Sequence, residues 1–203
     1  MTKKNSLPMA EKRELAESTI ELREEGQGTR TITGYAVKWD MRSHPLGYYT
    51  RFREVFKRGA FTETLQNDDV RALWSHDTSK VLGRTKNGTL RLHEDDIGLR
   101  FELDLPNNTQ GNDAYESIKR GDVDGVSFGF QAREEEWDEA DPKNVLRSIH
   151  KAGLLEISPV GFPAYPDSQV DARAADPYKV YKEEQQQKEA KELRQKLILQ
   201  TYL

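Results

Sequence analysis

The stretch Gly125-Val126-Ser127-Phe128-Gly129-Phe130 decides the fold class of this chain of 203 residues. Its Gly-x-Ser-x-Gly core matches a pattern that, in α/β-hydrolase folds, places a serine in a sharp turn between a strand and a helix. Here the apolar side chains of Val126, Phe128 and Phe130 alternate with Ser127 and Gly129, which predicts a strand that continues past the serine. The stretch therefore argues against a doubly wound parallel sheet.

Hairpin signals lie at two other places in the chain. Gly26-Gln27-Gly28 separates two strand-like segments and predicts a hairpin. Asn87-Gly88 separates Val81–Thr85 from Thr89–Leu92, and this dipeptide is a strong signal for a two-residue hairpin turn. Both patterns favour antiparallel pairing of neighbouring strands.

Further short strands and a few helices complete the pattern. The other strand predictions are Val70–Trp74, Leu99–Leu105 and a final pair, Val145–Ile149 with Leu154–Val160. Helices are predicted near Phe56–Leu65, from a cap at Asn112 or Asp113 to Arg120, and beyond Asp176.

Many short strands and few helices predict an α+β fold that is mostly antiparallel β. We expect the sheet to close into a β-barrel with a few surrounding helices. The composition divides the chain into a polar N-terminal tail (1–17), one main domain (18–175) and a charged helical C-terminal tail (176–203). A core of that size can be stable without disulfides or metals.

The composition excludes several classes of function. Lysine plus arginine total 31 and aspartate plus glutamate total 35, so the formal net charge is −4, and a nucleic-acid partner is not expected. The absence of cysteine excludes disulfides, thiolate metal sites and a cysteine nucleophile. No stretch approaches the roughly 18 apolar residues of a membrane helix, so we expect a soluble, intracellular protein with no membrane partner.

Ser127 is the candidate nucleophile. Its parity is opposite to that of the apolar side chains on its strand, so the hydroxyl is not expected to fill the core. Gly125 and Gly129 lack Cβ atoms and would let a substrate backbone approach the hydroxyl. The alternative is a serine exposed on an edge strand, without a catalytic role.

The chain has four histidines that could activate a serine. His76 follows the predicted strand Val70–Trp74, where an imidazole can be partly desolvated and still reach a neighbouring strand, so its position favours it. His93 has the parity of an exposed strand residue, His44 lies in an irregular loop, and His150 lies near the end of a strand. For His76 alone, the competing interpretation is a hydrogen-bonded structural histidine.

Metal and cofactor chemistry have no supporting motif. The chain contains no His-Glu-x-x-His, no His-x-His and no cysteine pair, so no local spacing brings two metal ligands together. A Walker loop and a dinucleotide fingerprint are also absent. We therefore expect neither a cofactor nor a catalytic metal.

Five sequence blocks, taken in order, resemble one known family. The blocks are Ile32-Thr33-Gly34-Tyr35-Ala36-Val37, Glu54-Val55-Phe56 with Gly59-Ala60-Phe61, Trp74-Ser75-His76-Asp77 with Leu82-Gly83-Arg84, Gly121–Phe130, and Leu155–Val160 with Pro163-Ala164. In this combination they closely resemble the prohead proteases of tailed bacteriophages of the HK97 type. The resemblance extends from Thr31 to Ala164.

The resemblance implies a serine endopeptidase related in fold to the herpesvirus assemblins, which form a closed barrel. Such enzymes act inside the immature capsid, in the bacterial host cytoplasm, where they cut the scaffolding part of the major capsid protein and commonly themselves. The implied partners are the major capsid protein with its scaffolding segment, and other copies of the chain. We expect self-cleavage in the polar ends, Met1 to about Glu17 and Asp176 onward, because exposed termini are most accessible.

The resemblance also implies roles for individual residues. The family's serine falls on Ser127 and its histidine on His76. Glu156 is the expected third member, because a carboxylate that accepts the other imidazole proton would fix the tautomer and stabilise the imidazolium. The assemblins use a second histidine in this role, so His150 is the alternative. A competing function is a non-catalytic capsid assembly or scaffolding factor of the same fold, which docks through its C-terminal helix.

Overall fold

The computed structural model describes residues 10–14, 20–25, 29–47, 51–161 and 176–201. In chain order the elements are β1 (Glu11–Glu14), β2 (Glu21–Glu25), β3 (Thr29–Lys38), β4 (Phe52–Phe56), α1 (Thr62–Asn67), β5 (Arg71–Trp74), β6 (Asp77–Arg84), β7 (Leu90–Glu94), β8 (Gly98–Asp104), α2 (Thr109–Lys119), β9 (Gly125–Asp138), β10 (Val145–Val160) and α3 (Pro177–Thr201). Of the helices in these ranges, none combines the length and the apolar character that crossing a membrane requires.

The described strands form two sheets. The larger sheet has six strands in the order β1-β9-β10-β5-β6, and β4 also pairs with β10. The strands β4 and β5 run parallel to successive parts of β10, whereas the other pairs are antiparallel. The smaller sheet has the antiparallel order β2-β3-β8-β7. The α+β class with mostly antiparallel strands is confirmed. The closed barrel stays a prediction, because no pairing among the described strands closes either sheet.

One hydrophobic core joins the two sheets. Phe128 and Phe130 on β9 pack edge-on against Phe56, with ring centroids 5.4 Å and 5.0 Å away. Phe101, from the smaller sheet, is buried in the same core. Each fully buried side chain of this kind contributes about 1.5–3 kcal/mol relative to an exposed one. Because side chains alternate along a strand, Ser127 points to the opposite face of β9 from these rings.

Asn87-Gly88 does not form the predicted hairpin. Strand β6 pairs with β5 in the larger sheet, whereas β7 pairs with β8 in the smaller one. Between them, Thr85–Asn87 forms a 3-10 turn, and Gly88 has a φ of 75°, in the left-handed region that glycine adopts readily. The dipeptide therefore carries the chain from one sheet to the other.

Two further local predictions differ from the structure. The predicted pair Val145–Ile149 and Leu154–Val160 is one continuous strand, β10, because register shifts against β9 absorb the irregular part between them. The cap of α2 is Asn108, whose side chain accepts a hydrogen bond from the backbone three residues on, and not Asn112 or Asp113.

The two predicted tails contain regular structure. Strand β1 lies within 1–17 and pairs with β9, which no sequence pattern predicted. The charged C-terminal helix is present as α3, and its first residues pack on the larger sheet, where Tyr178 and Tyr181 each place a ring 5.3 Å from Trp137. Beyond this contact the described part of α3 is largely exposed.

Candidate active site

The turn between β5 and β6 positions His76. Its two central residues, Ser75 and His76, have φ angles of 49° and 63°. Two successive positive φ angles are typical of type I′ hairpin turns, which favour Asn-Gly because a residue with a Cβ is strained there by about 1–3 kcal/mol. The His76 N–H donates to Ser158 Oγ at 3.1 Å, and the Ser75 N–H donates to the Pro159 carbonyl at 3.3 Å. These bonds fasten the turn to β10.

Glu156 holds the His76 imidazole. The ring atom Nδ1 lies 2.7 Å from Glu156 Oε1, and Ser158 Oγ donates to the second carboxylate oxygen at 2.6 Å. The His76 and Glu156 side chains are only 17% and 12% exposed. A carboxylate at Nδ1 favours the tautomer that carries its proton there, which leaves Nε2 able to accept a proton. The contact is the one expected between a general base and the carboxylate that orients it.

Gly129 provides space for this carboxylate. It pairs with Glu156 across β9 and β10. A Cβ at Gly129 would lie 2.8 Å from Glu156 Oε1 and 3.3 Å from Glu156 Cγ, closer than the side chain could accept without moving. The sequence suggested that this glycine serves substrate access. The structure gives it a second use, which is room for the side chain that holds His76.

Ser127 lies on β9 between β1 and β10. Its Cα pairs with Glu14 on one side and with Ser158 on the other. The residue is 1% exposed, and its hydroxyl donates to the backbone oxygen of Arg13 at 2.9 Å. The alternative of an exposed serine on an edge strand is therefore wrong. Within the described part of the chain, no hydrogen bond joins this hydroxyl to the His76 ring.

Three neighbouring strands bring the predicted residues to one face of the larger sheet. Ser127 is on β9, Glu156 is on β10, and His76 directly follows β5. Paired residues on adjacent antiparallel strands point to the same face, with Cα atoms about 4.5–5.5 Å apart. Ser127 is paired in this way with Ser158, whose hydroxyl contacts both the Glu156 carboxylate and the His76 backbone. The Ser158 side chain thus links Glu156 to the His76 turn, directly beside Ser127 on the neighbouring strand.

Sequence analysis missed Ser158, although a signal was available. Ser158 follows Glu156 by two residues, so the two side chains share one face of the strand. The contact with His76, in contrast, depends on the pairing of distant strands and has no local signal. Among the described residues, no three His, Asp or Glu side chains are grouped so that they could hold a metal ion.

His150, the alternative third member, lies elsewhere on β10. Its Nε2 is 3.4 Å from Glu136 Oε2, and its side chain is 37% exposed. Six residues separate it from Glu156, which is roughly 20 Å along a strand. The structure brings Glu156 to the His76 ring and leaves His150 outside this group. His93 is exposed, as predicted, and His44 is exposed too.

A charge cluster lies at the β1 edge of the larger sheet. Its members are Glu11, Arg13, Glu54 and Arg147, which are buried or half-buried, and Glu135, which is exposed. Arg147 binds Glu54 at 2.7 Å, Glu11 at 2.7 Å and 2.9 Å, and also Glu135. Arg13 binds Glu54 at 2.8 Å and 3.2 Å, and Glu11 at 2.6 Å. Burial alone would raise the pKa of Glu11, but Arg13 and Arg147 outweigh it and hold that pKa below its usual value. The members come from four segments, so no local pattern could reveal the cluster.

Comparisons with known proteins bear on the chemistry of this site. The family described as caudovirus prohead serine protease matches residues 18–190, which include Ser127, His76 and Glu156 but not β1. The prohead protease of Escherichia phage T5 is 28% identical over 109 residues, which make up 54% of this chain and 47% of that protein. The chain thus matches about half the length of this curated relative. No solved structure matches the chain.

Proposed function

The chain belongs to the family of caudovirus prohead serine proteases, and on that premise we propose that it is a serine endopeptidase of capsid maturation. Ser127 is the nucleophile, His76 is the general base, and Glu156 is the carboxylate that orients the base. The observation that carries the proposal is the 2.7 Å contact between His76 Nδ1 and Glu156 Oε1, next to the strand of Ser127.

In the proposed reaction, Ser127 Oγ attacks the carbonyl carbon of the scissile peptide bond while His76 Nε2 takes the hydroxyl proton. Glu156 accepts the hydrogen bond from Nδ1 and stabilises the imidazolium. The imidazolium then protonates the leaving amine, an ester remains on Ser127, and water hydrolyses this ester. The chain order His, Ser, Glu differs from that of other serine hydrolases, as expected when a similar constellation arises on an unrelated fold.

Ser158 has a positioning role in this proposal. Its hydroxyl donates to Glu156 and accepts from the His76 N–H, so it fixes the carboxylate and the turn together. The Ser127 hydroxyl, which donates to Arg13 in the structure, has to rotate toward His76 before it reacts. Such a rotation is a change between staggered side-chain positions.

We propose the scaffolding part of the major capsid protein as the substrate, and the chain itself as a second one. The family description and the name of the T5 relative both support a place of action inside the phage prohead. That place lies in the cytoplasm of the bacterial host. A closed barrel like that of the herpesvirus proteases belongs to the same proposal, and the shared core of the two sheets supports it.

Co-expression with the cognate capsid protein tests the proposed function. Ser127→Ala should leave the capsid protein uncut, and His76→Ala should slow cleavage by about 10⁶-fold, the loss typical of removing the base of a triad. Matched controls are Ser117→Ala, a half-buried serine on α2, and His93→Ala, on an exposed strand position. The proposal fails if either active-site variant cuts the capsid protein as fast as the controls do.

A non-catalytic assembly factor is the second candidate function. It is favoured by one observation, the exposed aliphatic side chains Leu193, Leu197 and Ile198 on α3, each more than half exposed. Truncation of α3 after Lys182 keeps the tyrosines that pack on Trp137. If the chain is mainly an assembly factor, this truncation should prevent incorporation into proheads. If it is a protease, cleavage of a capsid peptide should continue at the full rate.

A further inference from the structure

Strand β1 lies in the place that an extended substrate would take beside the nucleophile. Its four residues pair antiparallel with β9, from Glu11 opposite Phe130 to Glu14 opposite Ser127. Addition of a strand to a sheet edge is a common way of binding an extended peptide. Here the added strand puts a main-chain oxygen, that of Arg13, 2.9 Å from Ser127 Oγ. The carbonyl carbon of Arg13 is one bond, about 1.23 Å, from that oxygen.

We propose that β1 occupies the substrate cleft as an intramolecular substrate, that Arg13–Glu14 is the bond presented to Ser127, and that Glu54 selects the arginine before this bond. This inference rests on the proposed role of Ser127 as nucleophile. It defines the substrate class as an extended segment with arginine on the acyl side of the scissile bond.

The side chain of Arg13 fills a site that is built to bind it. Its Nε and Nη2 atoms lie 2.8 Å and 3.2 Å from the two oxygens of Glu54, and its guanidinium lies 5.4 Å above the Phe130 ring. Only 10% of the Arg13 side chain and 1% of the Glu54 side chain are exposed. A forked contact with one carboxylate is specific to arginine, because the ammonium of lysine is a single point charge.

The residues around the Arg13 side chain carry a net negative charge when β1 is left out. Glu54 and Glu135 then lie around the single guanidinium of Arg147, so two carboxylates face one cation. Glu54 itself is fully buried and belongs to the core of the larger sheet through β4. Strand β1 brings Glu11 as well as Arg13, so it leaves the net charge of the cluster unchanged, but it supplies buried Glu54 with a second guanidinium besides that of Arg147.

The position of β1 also determines access to the active site. With β1 in place, Ser127 is 1% exposed, so a segment of another molecule cannot reach its hydroxyl. Strand β1 lies outside the residues 18–190 that match the family. A strand with a purely structural role would explain the backbone pairing of β1. It would not explain why the Arg13 carbonyl accepts a hydrogen bond from the Ser127 hydroxyl, or why Glu11 and Glu54 bind the Arg13 side chain.

The reaction on β1 is a complete hydrolysis. Ser127 Oγ bonds to the Arg13 carbonyl carbon and its proton passes to His76. The C–N bond between Arg13 and Glu14 breaks, and the Glu14 nitrogen leaves with that proton. Water then attacks the ester, restores the Ser127 hydroxyl and leaves a carboxylate on Arg13. The cleft is open once the segment that ends at Arg13 has dissociated.

Self-processing of the full chain is the first test. After incubation, intact mass and N-terminal sequencing should find a chain that begins at Glu14, and this product should be missing in Ser127→Ala. Arg13→Gln should slow its formation about tenfold or more, and Arg13→Lys less. The matched control Arg23→Gln changes an exposed arginine on β2 and should process normally.

Two results of this test would separate the inference from the proposed function. If the capsid protein is cut in a Ser127-dependent way while Arg13–Glu14 stays intact, the inference is wrong and the proposed function stands. If Ser127→Ala still cuts the capsid protein, the proposed function is wrong, and the inference falls with it. Equal processing of Arg13→Gln and the wild type also overturns the inference.

Peptide cleavage by the processed wild-type chain is the second test, and its first comparison, between two peptides, needs no protein variant. A peptide with the sequence of residues 8–18 should be cut after arginine, with a kcat/KM about tenfold or more above that of the same peptide with glutamine at that position. Glu54→Gln should reduce this ratio toward one, whereas Glu135→Gln, which changes a carboxylate that does not contact Arg13, should keep it. A wild-type ratio near one contradicts the role of Glu54.

Discussion

The two turns that flank β6 differ in how they are held. The turn before β6 places Ser75 and His76 at positive φ and is fastened to β10 by hydrogen bonds from both backbone N–H groups. The turn after β6 places Gly88 at a φ of 75°, and a Cβ there would meet nothing within 4 Å. The first turn is strained and anchored, whereas the second is relaxed.

The difference shows where this fold tolerates strain. A residue with a Cβ in left-handed backbone costs about 1–3 kcal/mol, and it persists where the surrounding structure overdetermines it. Around Ser75 and His76 the surroundings are β10 and the Glu156 carboxylate. The strained backbone is that of His76 itself, whose imidazole it places at the end of β5, near the strand β9 that carries Ser127.

Removal of the carboxylate that anchors the first turn should give the largest effect. Glu156→Gln keeps the shape of the side chain but offers Nδ1 an amide, so the imidazole loses the partner that fixes its tautomer. We expect kcat/KM for a capsid peptide to fall by about 10⁴-fold. The matched control is His150→Ala, which should leave kcat/KM unchanged. If His150→Ala lowers kcat/KM more than Glu156→Gln does, His150 and not Glu156 is the residue that orients His76.

A smaller loss is expected when the carboxylate is displaced but kept. In Gly129→Ala the new Cβ would lie 2.8 Å from Glu156 Oε1, so the carboxylate has to move away from His76. A displacement of about 1 Å in a catalytic group can cost about 10²-fold in rate. The control Gly153→Ala meets only the flexible end of the Arg133 side chain and should keep its kcat/KM. Equal rates for the two variants would contradict the assigned role of Gly129.

In the second turn, the expected effect is on stability alone. Gly88→Ala adds no contact, so its cost is that of left-handed backbone at a residue with a Cβ, about 1 kcal/mol. Urea unfolding should show this loss, with peptide cleavage unchanged. If cleavage falls as well, the two turns are coupled, and the contrast between them does not hold.

The smallest effect is expected in the first turn, with the sign reversed. Ser75→Gly relieves the left-handed strain at φ 49° and leaves His76 in place. We expect a gain of about 0.5 kcal/mol, since the greater freedom of glycine in the unfolded chain offsets part of the relief. The same unfolding measurement checks the gain, and a loss of stability would show that Ser75 is unstrained.

The strands with alternating polarity could be predicted from the sequence, because a sheet with one buried face needs apolar side chains at every second position. The start of β9 and the parity of Ser127 follow from this rule. Strand β1 could not be predicted, since its sequence Glu-Lys-Arg-Glu contains no apolar residue. Its place in the sheet depends on β9 and on ion pairs with Glu54 and Arg147, which are distant in sequence.

The sequence blocks shared with a known family predicted the identity of three residues of the candidate site, but not the contacts between them. Ser127, His76 and Glu156 were named in this way, and the structure brings His76 and Glu156 into contact. The roles of Ser158 and Gly129 depend on the register between β9 and β10, which no local pattern fixes. The hairpin prediction at Asn87-Gly88 was wrong for a similar reason, because the turn propensity of a dipeptide does not determine which sheet the next strand joins.

The covalent connection of β1 to the strand it covers has a kinetic consequence. A tethered segment has an effective concentration on the order of millimolar. As the proposed intramolecular substrate, β1 should therefore exclude free peptides at micromolar concentration for as long as it stays paired with β9. With cleavage of β1 as proposed, we expect opening of the cleft to be a first-order event in each chain. The rate constant of opening should then be the same whether one copy or many are enclosed in a shell.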